Sequence, residues 1–142
     1  MAKQSKINRR QFLTTMGAAI SAPYIIPSGV LGATARPGPN DLVTVALIGA
    51  GGRGMSLMNG MRRSKIGDQA QCAAVCDVDE KRLASAAKYL ARGSKKPVIP
   101  YGDYRYVIER KDIDAVVLGT PDHWHAVKTV HSAELGKHIY VE

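Results

Sequence analysis

Apolar positions along this chain gather into short dense runs separated by longer, sparser patterns. Leu42–Ile48 is uncharged and nearly continuous in apolar side chains, with Val43, Val45 and Ile48 among them, the signature of a strand buried on both faces. Arg53–Ser64 follows with helical spacing, its apolar positions being Met55, Leu57, Met58 and Met61. Lys65–Gln69 is a polar connection, and Ala70–Cys76 reads as a second strand. Asp79 is placed to cap a helix over Glu80–Arg92, whose Leu83, Ala87 and Leu90 share a face and which Gly93–Lys96 terminates. Val98–Pro100 predicts a short third strand. Asp103 caps a brief helix through Glu109, with Tyr106 and Val107 turned inward. Ala115–Leu118, uncharged and β-branched at Val116 and Val117, is the fourth strand. A helix starting at Asp122 or His123 and running to Leu135, stopped by a left-handed Gly136, leads into a fifth strand, His138–Val141. Such alternation predicts an α/β fold, a doubly wound parallel sheet of about five strands with helices on both faces.

The first 35 residues do not belong to that pattern. Lys3–Arg10 is basic, Phe12–Val30 largely apolar, and Leu31–Ala35 small and weakly polar, the order of an export signal. Asn8-Arg9-Arg10-Gln11-Phe12-Leu13 resembles the twin-arginine signature, and Ala33-Thr34-Ala35 has the form of a cleavage site. An uncleaved membrane anchor is the alternative; Pro23 and Pro27 disfavour a straight spanning helix. The expected location is periplasmic or otherwise exported. Residues 36–41 begin Arg-Pro-Gly-Pro-Asn and read as a linker, leaving 42–142 as the folded domain.

Net charge of +8 suggests a polyanion partner only until it is divided by position. Lys3, Lys6, Arg9 and Arg10 stand in the signal segment, which has no carboxylate. The other basic residues, such as Arg62, Arg63, Lys65, Lys95, Lys96 and Lys111, are scattered and lack interleaved aromatics, so no nucleic-acid partner is expected. Two cysteines, Cys72 and Cys76, lie in the second strand run. There they would share a face about 13 Å apart, too far for a disulfide, so two buried reduced thiols are expected.

The strongest chemical signal is the turn Gly49-Ala50-Gly51-Gly52-Arg53-Gly54, a G-x-G-x-x-G between the first strand and the first helix. Gly49 permits the tight turn, Gly51 leaves room for a pyrophosphate at the backbone, and Gly54 lets helix and sheet pack closely. Amides at the helix N-terminus then face phosphate, where the helix dipole favours negative charge. No Gly-Lys-Ser/Thr follows, which excludes a P-loop. Asp77, 23 residues beyond Gly54, can accept both hydroxyls of an adenosine ribose and would repel a 2′-phosphate, favouring NAD with NADP possible. Nearby Lys81 and Arg82 would soften that preference; the competing reading is that Asp77 caps a turn with Asp79. The loop Thr120-Pro121-Asp122-His123-Trp124-His125 follows the fourth strand and faces the same crevice, with Thr120 and Pro121 placed to line it. His123 and His125 have metal-like spacing but no third ligand, so no metal is expected, and His125 suits a loop-fixing role. These features together make the sheet Rossmann-type.

With those residues in view, the chain resembles the Gfo/Idh/MocA oxidoreductases. The resemblance rests on Val45–Gly54, Val75-Cys76-Asp77-Val78-Asp79, Asp112–Val117, the Thr120–Ala126 loop and Gly136-Lys137-His138-Ile139-Tyr140-Val141-Glu142, and it covers about Val43 to Glu142. It implies a nicotinamide cofactor and hydride transfer at a carbinol carbon of a sugar, cyclitol or related small molecule. Residue by residue, it assigns Gly49, Gly51 and Gly54, with Ala50, Gly52 and Arg53 between them, to the phosphate turn and Asp77 to the ribose. It places Thr120, Pro121 and His125 beside the cofactor, and Glu142 matches the glutamate of the family's Glu-Lys-Pro motif. The lysine and proline of that motif would lie beyond Glu142, so no catalytic residue is assigned, and the family's second domain is expected to be absent. The resemblance further implies a parent that is a homo-oligomer. Separately, because NAD is scarce outside the cytoplasm and the twin-arginine machinery carries folded proteins, export by that route predicts a cofactor bound before transport. A redox-neutral glycoside hydrolase using bound NAD, or a non-catalytic nucleotide-binding remnant, are the alternatives.

Overall fold

A computed structural model describes residues 42–65, 67–92, 94 and 96–142. The twin-arginine-like segment 1–35, the linker 36–41 and the helix-ending Gly93 lie outside the described residues. The chain alternates β1 (Val43–Ile48), α1 (Gly52–Arg63), β2 (Ala70–Cys76), α2 (Glu80–Ala91), β3 (Ile99–Tyr101), α3 (Tyr104–Ile108), β4 (Ala115–Leu118), α4 (His125–Glu134) and β5 (His138–Val141). The five strands form one sheet in the order β3-β2-β1-β4-β5, every pairing parallel. The fold is α/β and Rossmann-like. The order reverses beside β1, so β1 and β4 pair although two strands separate them in sequence, and a crevice opens beyond their C-terminal ends.

Both sheet faces are buried because the strands are apolar on both. Val45, Leu47, Cys72 and Val75 pack with Met58 of α1 and with Ala86 and Leu90 of α2. Ala46, Ile48, Ala74, Cys76, Val116 and Leu118 pack with Val107 and Ile108 of α3. Asp79 caps α2 as the sequence suggests, its Oδ1 accepting from the amides of Lys81 and Arg82 at 2.9 and 3.0 Å. Gly136 stops the chain after α4 at φ +70°.

Four expectations need correction. Tyr106 turns outward and is 63% exposed, while Val107 and Ile108 turn inward with Tyr104, because α3 buries the face bearing positions spaced by three and four. The third strand is Ile99–Tyr101, with Val98 packed just before it, and the stretch after β4 opens with a 3-10 turn, Asp122–Trp124, before α4 begins at His125. Cys72 and Cys76 do not share a face. The β1–β2 register jumps from Val45↔Cys72 to Ala46↔Ala74, so Ala73 is an extra residue that reverses the alternation. Cys72 therefore joins the α1–α2 layer and Cys76 the α3 layer. Both are free and buried, and burial pushes each thiol up to about 11.

Among the described residues β5 pairs only with β4 and forms a sheet edge, with Tyr140 and Val141 exposed there and Val127, Val130 and Leu135 exposed on and just after α4. No described helix is long and apolar enough to cross a membrane.

Candidate functional site

The C-terminal ends of four strands are tied together by backbone hydrogen bonds. Gly49 N–H donates to the carbonyl of Cys76 at 2.8 Å, Gly119 N–H to that of Ile48 at 2.9 Å, and Asp77 N–H to that of Tyr101 at 3.2 Å. Where β1 ends, Gly49 adopts φ +93°, a conformation only glycine takes without strain. Three backbones then meet within van der Waals range. A Cβ on Gly54 would collide with the Gly49 carbonyl, and one on Gly119 would come within 2.6 Å of the Gly54 Cα. Gly119 was not singled out from sequence, although a glycine directly after a buried strand is the available signal.

On the open side of this knot lies a cleft of about 420 Å³, lined by Gly49, Gly51, Asp77, Thr120, Pro121 and Lys128 among others. Its volume falls in the roughly 300–1,000 Å³ range of small-molecule sites. Gly51 precedes the first turn of α1, and no side chain among the described residues caps that helix, so its leading amides have no side-chain acceptor among them. Among the described residues, and its chain neighbours aside, the nearest group to a Cβ placed on Gly51 is the Arg82 guanidinium, 4.0 Å away, so backbone and cation flank the same space.

Asp77 stands at the tip of β2 with both carboxylate oxygens engaged. Oδ2 accepts from Ala50 N–H at 2.7 Å, across the glycine turn, and Oδ1 accepts from Asp79 N–H at 2.9 Å. The turn-capping role is observed, since Oδ1 orders the local turn with Asp79, and the same carboxylate is joined through Oδ2 to the glycine turn. The hydroxyl of Thr120 is buried with no partner among the described residues, an orphaned donor on the opposite wall. His125 is not a lining residue; its Nε2–H donates to the Thr120 carbonyl at 2.6 Å and fixes the loop's course. Arg53 and Glu142 form an ion pair with each other, Tyr140 donates to Glu142 at 2.9 Å, and neither charged residue lines the cleft. Ala50 is buried behind the turn, and Gly52 is exposed at the start of α1.

Several lining residues had no motif to announce them. Lys128, on α4, holds its ammonium 5.2 Å from the ring centroid of Tyr104 and 5.1 Å from that of Trp124. Tyr104 is in turn held by its hydroxyl, 2.7 Å from His131 Nδ1. Burial lowers the pKa of Lys128, opposed by the charges of Cys76, Asp77 and Asp103. Across the cleft Arg105 clasps Asp103 through both its Nε and Nη2, and that hydrogen bonding holds the Asp103 carboxyl below the usual range. Among the described residues no cluster of three or more His, Cys, Asp or Glu is arranged to hold a metal.

Glycine backbone at a helix N-terminus, an acid at the tip of the neighbouring strand and an orphaned hydroxyl opposite could together hold a dinucleotide. Comparison with known proteins gives the same direction. Residues 43–142 match the Gfo/Idh/MocA oxidoreductase family, NAD-binding Rossmann fold. A glycosyl hydrolase family 109 protein from Shewanella pealeana is 31% identical over 155 aligned positions, which take in 96% of this chain and 33% of that protein. The chain thus spans about a third of the length of the curated relatives it matches. Among solved structures, apo scyllo-inositol dehydrogenase from Lactobacillus casei superposes with a TM-score of 0.58 at 25% identity, covering 71% of this chain and 28% of the other. The WlbA dehydrogenase from Chromobacterium violaceum, solved with NADH and UDP-GlcNAcA, shares the fold at a TM-score of 0.60 and 23% identity, over 84% of this chain and 30% of that one.

Proposed function

The chain belongs to the Gfo/Idh/MocA oxidoreductases, and on that premise we propose that residues 42–142 hold NAD or NADP for hydride transfer to or from a sugar-like or cyclitol substrate in a protein of its relatives' length. The observation that carries this is the junction of the glycine turn with Asp77 through the 2.7 Å bond from Ala50. Gly51 and the leading amides of α1 would receive the diphosphate, with the Arg82 guanidinium beside them. Asp77 would accept from the ribose hydroxyls, and Thr120 would donate to the cofactor from the other wall. The nicotinamide ring, when bound, supplies the hydride acceptor or donor. Residues behind the wall hold its shape: His125 fixes the carbonyl of Thr120, and Arg53 ties Glu142 to the start of α1.

Trp124 is the sole tryptophan and lines the cleft at 44% exposure, so its fluorescence is a direct reporter. Titrating the chain with NAD is expected to quench or shift that emission saturably, with calorimetry giving the same Kd. No heat and no spectral change up to millimolar NAD would sink the reading.

The relatives named as family 109 glycosyl hydrolases favour a second reading, redox-neutral glycoside cleavage with bound NAD. A nitrophenyl glycoside incubated without added NAD separates the two in a protein of full relative length: release of nitrophenol supports hydrolysis, and substrate-dependent NADH formation supports the dehydrogenase. Export by the twin-arginine route is part of the same proposal and rests on Arg9, Arg10, Phe12 and Leu13. Replacing Arg9 and Arg10 together by lysine is expected to retain the protein inside the cell, as fractionation would show; undiminished export would refute it.

A further inference from the structure

Resting on the dinucleotide reading, we infer that Lys128 is a specificity-determining residue, its ammonium placed to neutralise a 2′-phosphate on the ribose that Asp77 binds, so that the cleft takes NADP as well as NAD. The difficulty for NADP in such a site is electrostatic. A 2′-phosphate would carry about −1.5 to −2 charges next to the carboxylate of Asp77. Acceptance therefore needs a cation that is near Asp77, points into the cleft and is not already committed.

Three cations line the cleft: Arg82, Arg105 and Lys128. Arg105 is spent on Asp103, which it grips through Nε and Nη2 at 2.7–3.1 Å. Arg82 leans towards the Gly51 turn and lies 3.8 Å from Asp79, so it serves the diphosphate end. Lys128 forms no salt bridge among the described residues. Its ammonium sits against the faces of Tyr104 and Trp124, two rings that fix its position and screen it from water without supplying a counter-charge. It lines the same cleft as Asp77 and Asp103, and the charges of both oppose the lowering of its pKa by burial. A partly desolvated cation set against two rings, in the cleft that Asp77 also lines, is pre-organised for a second anion there.

The 2′-phosphate is also the group that separates this role from a structural one. A lysine that only propped α4 against α3 would weaken both dinucleotides alike when removed. The test is calorimetric or Trp124-fluorescence titration of the chain with NAD and with NADP, in wild type, Lys128→Gln and Lys128→Arg, each checked for an unchanged melting profile. Wild type is expected to bind the two within about tenfold of each other. Lys128→Gln is expected to shift the NADP-to-NAD affinity ratio at least tenfold against NADP, and Lys128→Arg to recover most of it. A ratio unmoved by Lys128→Gln overturns the proposal, as does a wild type that binds NAD but refuses NADP; in both cases the cofactor reading stands. Failure of wild type to bind either dinucleotide overturns both readings, and the NAD titration alone reveals it. Should Lys128→Gln not fold, raised salt serves in its place: NADP affinity in wild type must fall more steeply than NAD affinity, and equal slopes overturn the assignment.

Discussion

Gly54→Ala is expected to remove measurable dinucleotide binding and to cost the fold about 3 kcal/mol or more, near or above the top of the usual range for added bulk in a packed interior. The reason is what the new methyl meets. Its nearest neighbour is the Gly49 carbonyl oxygen, far inside contact distance, with the carbonyl carbon of Gly49 and the Leu47 Cδ1 beyond it. Leu47 can give, but the Gly49 carbonyl is backbone and cannot swing aside. Relief requires either that α1 back away from β1 and β4 or that Gly49 leave its φ of +93°, and both dismantle the turn. The helix amides then no longer converge on one point, so affinity falls with stability. Gly60→Ala is the matched control. Gly60 lies inside α1 with nothing within 4 Å of its added Cβ, and alanine there is expected to stabilise by about 0.5–1 kcal/mol. Urea denaturation of both variants, with NAD titrated against each, checks the pair. A Gly54→Ala protein that binds NAD within threefold of wild type would show that the backbone contact is not what shapes the site.

The contrast between those glycines also marks what could be read along the chain. Gly49, Gly51 and Gly54 announce themselves because their spacing is local and falls between a buried strand and a helix. Gly119 contributes to the same knot, but only because β4 lies beside β1, a neighbour relation that comes from the sheet order and not from spacing. Cys72 and Cys76 make the same point. Alternation along an isolated strand puts them on one face; the bulge at Ala73 is a property of the β1–β2 pair and sends them to opposite layers. Lys128 lies on a helix surface with no motif around it, and it enters the cleft only because α3 brings Tyr104 up to meet it. Strands, caps and the glycine turn are local chemistry and were legible. Positions whose role depends on a neighbour far away in sequence were not.

Asp77 is the case in which local and distant roles coincide, and Asp77→Asn separates them. An amide offers one acceptor where the carboxylate offers two, so the N–H groups of Ala50 and Asp79 cannot both be satisfied. Losing one such bond at this partly buried site is expected to cost about 1–2 kcal/mol of stability. The larger effect falls on the ligand. Hydrogen bonds from ribose hydroxyls to a charged acceptor are worth about 1.5–3 kcal/mol, so NAD affinity is expected to drop roughly 10- to 100-fold. NADP, freed of a like charge, should lose less, moving the preference between the two cofactors opposite to Lys128→Gln. Asp79→Ala supplies the comparison: it removes the α2 cap, costing about 1 kcal/mol, while leaving the Asp77 carboxylate in place, and NAD affinity should change little. Calorimetric titration of both variants decides the matter. If Asp77→Asn loses stability but keeps its NAD affinity within threefold, the carboxylate orders the turn and does not bind the ribose.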